Sequence, residues 1–327
     1  MKVNWTRFAE VVRSHQRWVL TSHIRPDADA LGSELGMAGV LEAAGRRVTI
    51  VNGQQTPPNL AFLDPGRRIR TIGVDITPAE LADTDAILVL DTSAWIQLGP
   101  MADVLRASQA KKYILDHHVS QDDLGAEAFK DTTAEATGRL VLDAARHLGV
   151  RLTPDIATPL FAAVATDTGW FRFASTGAGT YRAGAELIEG GAVPADIYRA
   201  LYERDSLARL RLVGCTLARA QTELGGRLIY TNIRREDFAA TGAVPSDTED
   251  IINMTLQVAG TEVAVIFVEL AAGGVKVSFR SRGAVDCSKL AECFAGGGHK
   301  AAAGATLAGT VETAQGKVLD AVRNAMR

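Results

Sequence analysis

The sequence predicts an α/β protein: a doubly wound, mainly parallel sheet, then a helical connector, then a smaller α/β unit with a mixed sheet. Three observations carry that expectation. Short apolar runs alternate with helix-length amphipathic segments through the first half of the chain, as repeated βαβ units do. The run AILVL at residues 86–90 is apolar without interruption, as a parallel strand covered on both faces is. The 327 residues exceed what one ordinary core holds.

The elements follow in order. Residues 18–22 read as the first strand, and a helix from about 30 to 44 stops at Gly45. Further strands are expected at 48–51, 86–90 and 112–115, with helices over 133–147, ending at Gly149, and over 155–165. Residues 180–220 are leucine- and alanine-rich and helical in pattern, punctuated by Gly190, Gly191 and Pro194. Then the pattern changes. Residues 227–233, 262–270 and 275–280 read as adjacent, antiparallel strands, with Ala272-Gly273-Gly274 as a hairpin turn. A last helix begins near Thr310. The expected division is a first domain at 1–186, a connector at 187–220 and a second domain at 221–327.

Composition narrows the class. With 47% apolar and 22% charged residues the chain is a folded protein. The N-terminal MKVNWTRFAEVVRSHQRW lacks the apolar centre of a signal peptide. No run reaches the roughly 18 apolar residues of a membrane helix, so no membrane partner is expected. Cys215, Cys287 and Cys293 form no CxxC, which suits a reducing compartment and a cytoplasmic location. A net charge of −3 argues against a broad surface for long duplex nucleic acid. It leaves room for a pocket holding one or two phosphates. A homodimer is left open.

Four short stretches carry the chemistry. His23, Asp27 and Asp29 follow the first strand, and ligands of open α/β sheets bind at such carboxyl ends. Singly, Asp29 could be a helix cap and His23 a solvated loop residue. Asp91 ends the AILVL run, where a solvated strand-end carboxylate is the ordinary alternative. Asp116-His117-His118 end another strand, and adjacent histidines are poor core residues without partners. Asp167 closes an apolar helix, where the helix dipole disfavours a negative charge. Together these stretches supply histidines and carboxylates to one sheet edge, a ring that repels itself unless cations occupy it. Two divalent ions bridged by one carboxylate would make a hydrolytic centre. The mixed donors suit Mn²⁺, with Mg²⁺, Co²⁺ or Zn²⁺ as alternatives.

Nearer the C-terminus lies Gly296-Gly297-Gly298-His299-Lys300, where consecutive glycines let backbone N–H groups approach an anion. The plain alternative is a turn before a small-residue helix. Upstream, Arg280, Ser281 and Arg282 lie on a strand that presents both arginines on one face.

In this order, HIRPDADALGS, VLD, LDHH and ATDTGWF resemble the four motifs of the DHH phosphoesterase superfamily, and GGGHK resembles its DHH-associated C-terminal domain. The resemblance covers roughly residues 15–310. It implies one cation on His23, Asp27 and Asp91 and a second on Asp29, Asp91, His117 and Asp167. Asp116 would orient His117, and His118 would contact the substrate phosphate or protonate the leaving oxygen. A water between the cations would be the nucleophile. The segment Gly296, Gly297, Gly298, His299 and Lys300 would meet the substrate's terminal phosphate or base, Arg280 would hold the scissile phosphate with the cations, and Ser281 and Arg282 are further substrate-binding candidates. The family often has a fourth glycine where this chain has Ala295.

The compact length and modest charge favour the nano-RNase and pAp phosphatase branch, acting on short oligonucleotides and pAp. The segment Asp247–Asn253 also looks like that branch. The alternative is a cyclic-di-AMP or pApA phosphodiesterase. A RecJ-like exonuclease would want a longer basic groove, a family II pyrophosphatase would lack GGGH, and an inactive nucleotide sensor would have lost a ligand.

Overall fold

The computed structural model describes residues 2–283 and 285–327. They fall into two compact units, Met1–Arg204 and Asp205–Arg327.

In the first unit the order is α1 (Trp5–Ser14), β1 (Arg17–Thr21), α2 (Ala28–Ala43), β2 (Arg47–Asn52), β3 (Ile69–Thr71) and β4 (Ala86–Leu90). It continues through α3 (Trp95–Leu98), α4 (Met101–Ala107), β5 (Lys111–Asp116), β6 (Glu127–Lys130), α5 (Thr137–Leu148), α6 (Pro154–Asp167), α7 (Ala178–Glu189) and α8 (Pro194–Tyr202). The strands form one sheet in the order β3-β2-β1-β4-β5-β6, every pair parallel. Side chains alternate between its faces, as the two-residue period requires. Ala86, Leu88 and Leu90 of β4 join the core on one face, and Ile87 and Val89 the core on the other. Both faces are covered, hence the unbroken apolar run. The chain builds outward from β1 to β3, then resumes at β4 on the other side of β1. The carboxyl ends of β1 and β4 therefore flank the point where the winding reverses, the usual ligand site of such sheets.

Helices α2 and α6 pack unusually close. A Cβ on Gly32 would come 2.3 Å from the Pro159 carbonyl oxygen, and one on Gly36 would come 2.4 Å from Leu160 Cδ2. Only hydrogen fits there. The contact fixes the start of α2, which carries Asp29, relative to α6, whose last residue is Asp167.

The second unit comprises α9 (Leu207–Ala218), β7 (Gln221–Glu223), β8 (Leu228–Ile233), α10 (Arg235–Thr241), α11 (Ile251–Thr255), β9 (Val263–Glu269), β10 (Val275–Ser281), α12 (Cys287–Glu292), β11 (Gly297–His299), β12 (Ala302–Leu307) and α13 (Val311–Ala325). Its sheet order is β11-β12-β10-β9-β8-β7. The expected hairpin joins β9 to β10 in antiparallel register. The expectation of antiparallel neighbours fails between β8 and β9, which run parallel. The connection between them carries α10 and α11, long enough to return the chain to the starting edge. The glycine-rich segment, with a turn before a small-residue helix as its plain alternative, forms the strand pair β11–β12.

None of the described helices is long and apolar enough to cross a membrane, and all three cysteines are free.

Candidate metal centre

Beyond β1 the chain turns sharply, with Arg25 at φ +55° ahead of Pro26. His23 Nδ1 lies 3.0 Å from the Ile24 carbonyl oxygen. A carbonyl only accepts, so Nδ1 carries a proton and Nε2 is the nitrogen left to face the carboxylates. Asp27, not Asp29, caps α2: its Oδ1 accepts the N–H groups of Asp29 and Ala30, each at 3.0 Å. Asp29 is free of that duty. Its carboxylate is buried and accepts the N–H of Gly138 at 2.8 Å, the N–H of Thr137 at 2.8 Å and the Ser33 hydroxyl at 3.2 Å. Thr137 and Gly138 begin α5, so otherwise unpaired donors of a helix start hold an acid on another helix.

Asp91 lies just past β4, 2% exposed, with φ +61°, a conformation disfavoured for a residue with a side chain. Its Oδ2 is 3.4 Å from His23 Nε2 and its Oδ1 3.5 Å from His117 Nε2. The Thr137 hydroxyl donates to the same Oδ1 at 2.9 Å. His117 repeats the arrangement of His23, with Nδ1 donating to the Ala134 carbonyl at 3.1 Å. Its Nε2 lies 3.8 Å from Asp29 and 3.6 Å from Asp167. His23, Asp27 and Asp91 thus offer one converging donor set, and Asp29, His117 and Asp167 another, the atoms of each within 4.8 Å of one another. Asp91 faces both.

These spacings fit divalent cations. Two atoms bound to one ion at about 2.1 Å lie roughly 3–3.5 Å apart, slightly farther than a hydrogen-bonded pair. Both imidazoles turn Nε2 towards the carboxylates and both are fixed from behind by a carbonyl, as ligating histidines usually are. The electrostatics agree. Burial, then the charges of Asp91 and Asp167, push Asp29 well above the ordinary carboxylate range. Burial also raises Asp167, with Asp91 and Asp27 adding to it against the histidines. Burial would lower His23, but Asp91 and the Ile24 carbonyl outweigh it and push it up to about 9. Positive charge is in demand here.

Asp116 does not orient His117 as expected. Its Oδ1 accepts both the backbone N–H of His118 at 3.0 Å and its ring Nδ1–H at 2.8 Å. Oδ2 is 2.9 Å from Lys130 Nζ and accepts the Ser93 hydroxyl at 2.8 Å. The reason is local: the carboxylate at the end of β5 lies beside the next-but-one residue, while the His117 ring is already held by Ala134. Burial opposes ionisation of Asp116, yet these bonds bring its pKa well below the usual range, and the same pair raises half-exposed His118. His118 Nδ1 also lies 3.7 Å from Asp91 Oδ1.

In the second unit, Arg280 lines a concavity of about 270 Å³ with Lys276, Ser278, Glu249 and Asp250. Ser281 ends β10, and Arg282 lies one residue beyond it. The glycines sort by role. A Cβ on Gly296 would come 2.3 Å from the Gly304 carbonyl oxygen, and one on Gly298, at φ +148°, 2.5 Å from Ala303 Cα. Close strand pairing requires both. A Cβ on Gly297 would meet nothing within 4 Å, so pairing does not account for it. His299 and Lys300 are exposed. Ala295 sits at φ +55°, where glycine would be unstrained.

Sequence reasoning missed Ser93, Lys130, Thr137 and Gly138. Each acts through hydrogen bonds to a candidate ligand or its neighbour across long sequence separations, and none belongs to a motif or a periodic pattern. The only trace was Gly138, which a Cβ would drive to 2.5 Å from Ala163 Cβ and 3.3 Å from Asp29 Oδ1.

Comparison with known proteins agrees with this layout. Residues 17–164 match the DHH family, N-terminal domain, and residues 226–327 match the DHHA1 domain. The chain is 33% identical to the bifunctional oligoribonuclease and PAP phosphatase NrnA of Thermus thermophilus, over 96% of this chain and 92% of that protein. It is 26% identical to the protein of the same name from Bacillus subtilis, over 92% and 93%. The crystal structure of an exopolyphosphatase-related protein from Bacteroides fragilis superposes with a TM-score of 0.80 at 26% identity, covering 98% of this chain and 94% of that one. The exonuclease RecJ bound to manganese shares the fold at 14% identity and a TM-score of 0.53, over 100% and 96% of the two chains.

Proposed function

The chain belongs to the DHH family, in the branch of the bifunctional oligoribonuclease and PAP phosphatase relatives, and we propose that it hydrolyses phosphate esters of short oligonucleotides and of 3′-phosphoadenosine 5′-phosphate. The observation that carries this reading is Asp91, whose two carboxylate oxygens face His23 on one side and His117 on the other. A carboxylate so placed suits a bridge between two divalent cations.

His23, Asp27 and Asp91 would hold one cation, and Asp29, Asp91, His117 and Asp167 the other. Bound there, the cations would polarise the phosphate and make water nucleophilic near neutral pH. Mn²⁺ is the ion we favour, because the shell mixes imidazole with carboxylate. The remaining steps fall to the chain itself. His118, held by Asp116 through Nδ1, keeps Nε2 for a substrate oxygen and carries the proton that the departing alkoxide needs. Lys130 and Ser93 keep Asp116 ionised and in place. Arg280, Ser281, Arg282, Gly297, His299 and Lys300 are our choice for the substrate contacts, with Gly296 and Gly298 shaping the strand β11 that carries Gly297 and His299. We keep 187–220 as the connector, and the free cysteines support a cytoplasmic setting.

The test is a panel of 5′-labelled di- to decanucleotides, pAp and cyclic-di-AMP assayed with Mn²⁺. Release of mononucleotides from the shortest strands and of phosphate from pAp is expected, declining as strands lengthen. Equal rates on a dinucleotide and on a long strand would reject the assignment, as would turnover of cyclic-di-AMP alone.

A further inference from the structure

Two residues past Asp167 the backbone makes a turn that its sequence does not favour. Gly169, Trp170 and Phe171 all have positive φ, at +56°, +60° and +62°. The last two bear large side chains, for which this conformation is strained. The turn is nonetheless tightly held. The Trp170 N–H donates to the Ala165 carbonyl at 2.6 Å, and those of Arg172 and Phe173 donate to the Thr168 carbonyl at 2.9 and 3.0 Å. Trp170 and Phe171 are partly buried and pack against the core of the first unit. Phe173 does the opposite. Its ring packs against Gly169, so near that a Cβ there would sit 2.4 Å from two ring carbons, yet the residue is 54% exposed. Arg172 is exposed too, and its Nε donates to the Gly169 carbonyl at 2.7 Å.

One glycine therefore meets the ring of exposed Phe173 and the Nε of exposed Arg172, on a hydrogen-bonded turn that follows a residue of the candidate metal centre. Gly169 Cα lies within about 7 Å of Asp167 Cα, the reach of two trans peptides. A ring and a guanidinium side by side are what a nucleotide needs, one face for the base and one charge for a phosphate. The geometry points to a nucleotide subsite at Phe173 and Arg172, with the base of the residue under attack stacked on Phe173 and a non-bridging phosphate oxygen held by Arg172. The inference rests on the phosphoesterase reading for its substrate class, and it adds base dependence to that reading. The strain in the turn fits the same role, since it aims Trp170 and Phe171 inward and leaves Phe173 on the surface.

Calorimetric binding of adenosine 3′,5′-bisphosphate and of ribose 3,5-bisphosphate, which lacks the base, tests this on the full chain, with turnover of both followed in parallel. In the unaltered protein the base should strengthen binding. Phe173→Ala should erase about ten-fold of that advantage, Phe173→Trp should restore it, and Arg172→Ala should weaken both compounds alike. Phe173 is exposed, so these variants should fold normally. A base contribution that survives Phe173→Ala undiminished overturns the subsite, as does an unaltered protein that binds neither compound. If the base advantage is lost in Phe173→Ala but nothing is hydrolysed, the subsite stands and the phosphoesterase reading falls.

Discussion

At the scale of single residues, the centre is organised by groups that touch no substrate. Lys130 is the plainest case. Its ammonium lies 2.9 Å from Asp116 and 2.7 Å from the Ser93 hydroxyl, with only 12% of the side chain exposed. Removing it leaves a buried carboxylate with less compensation and loosens His118. Lys130→Met should lower kcat by about 10–100-fold, with a smaller effect on KM. Steady-state kinetics on pAp would decide it, and an unchanged kcat would show that Lys130 serves stability alone. Asp91 is more severe, because among the described residues no other carboxylate faces both histidines. Asp91→Ala should reduce phosphate release to background and halve the number of cations bound in a calorimetric titration; near-normal turnover would dismantle the ligand assignment. Ala295 illustrates a different economy. It holds a left-handed conformation at φ +55°, so Ala295→Gly should relieve strain by about 1 kcal/mol, partly offset by the greater freedom of the unfolded chain. Urea unfolding would register this as a midpoint that rises or stays level, and a clear fall would speak against strain at that position.

At the scale of elements, the contact of α2 with α6 sets the distance between Asp29 and Asp167. The obstacle at Gly32 is a backbone carbonyl, which cannot swing aside as a side chain can. Gly32→Ala should therefore separate the helices at a cost of about 1–3 kcal/mol. It should weaken metal binding more than it weakens the fold. Gly316→Ala, where a Cβ meets nothing within 4 Å, is the matched control and should leave binding untouched. Equal metal affinity in both variants would remove this packing from the account of the site. The start of α5 works alongside it, because the N–H groups of Thr137 and Gly138 fix both oxygens of Asp29.

At the scale of the whole molecule, the two units have separate cores, and every candidate metal ligand belongs to the first. Cations that bind only the folded state stabilise it in proportion to occupancy, by about 2.7 kcal/mol at one hundred times Kd. For a unit of this size that corresponds to roughly 5–10 °C in melting temperature. Chelation should therefore lower a melting transition assigned to the first unit and leave that of the second in place. A scan in which both move together would mean that the units unfold as one.

Much of this was legible in the sequence, for identifiable reasons. The parallel sheet could be read because burial on both faces writes itself as unbroken apolar runs. The six candidate ligands could be read because strand ends in such a sheet converge, so residues from 23 to 167 meet without any local signal linking them. Edge strands β3, β6 and β7 were not legible, being short and only partly apolar, and neither were β11 and β12, whose glycines and alanines have no strand preference of their own. Sequence by itself determined which side chains could bind cations, because donor chemistry belongs to the residue. Only the tertiary structure decided which partner each one has: Asp27 rather than Asp29 at the helix cap, His118 rather than His117 on Asp116, and Lys130, Thr137 and Phe173 as participants. Hydrogen bonds and packing contacts form between atoms brought together by the fold, and their geometry is not written in the order of the residues.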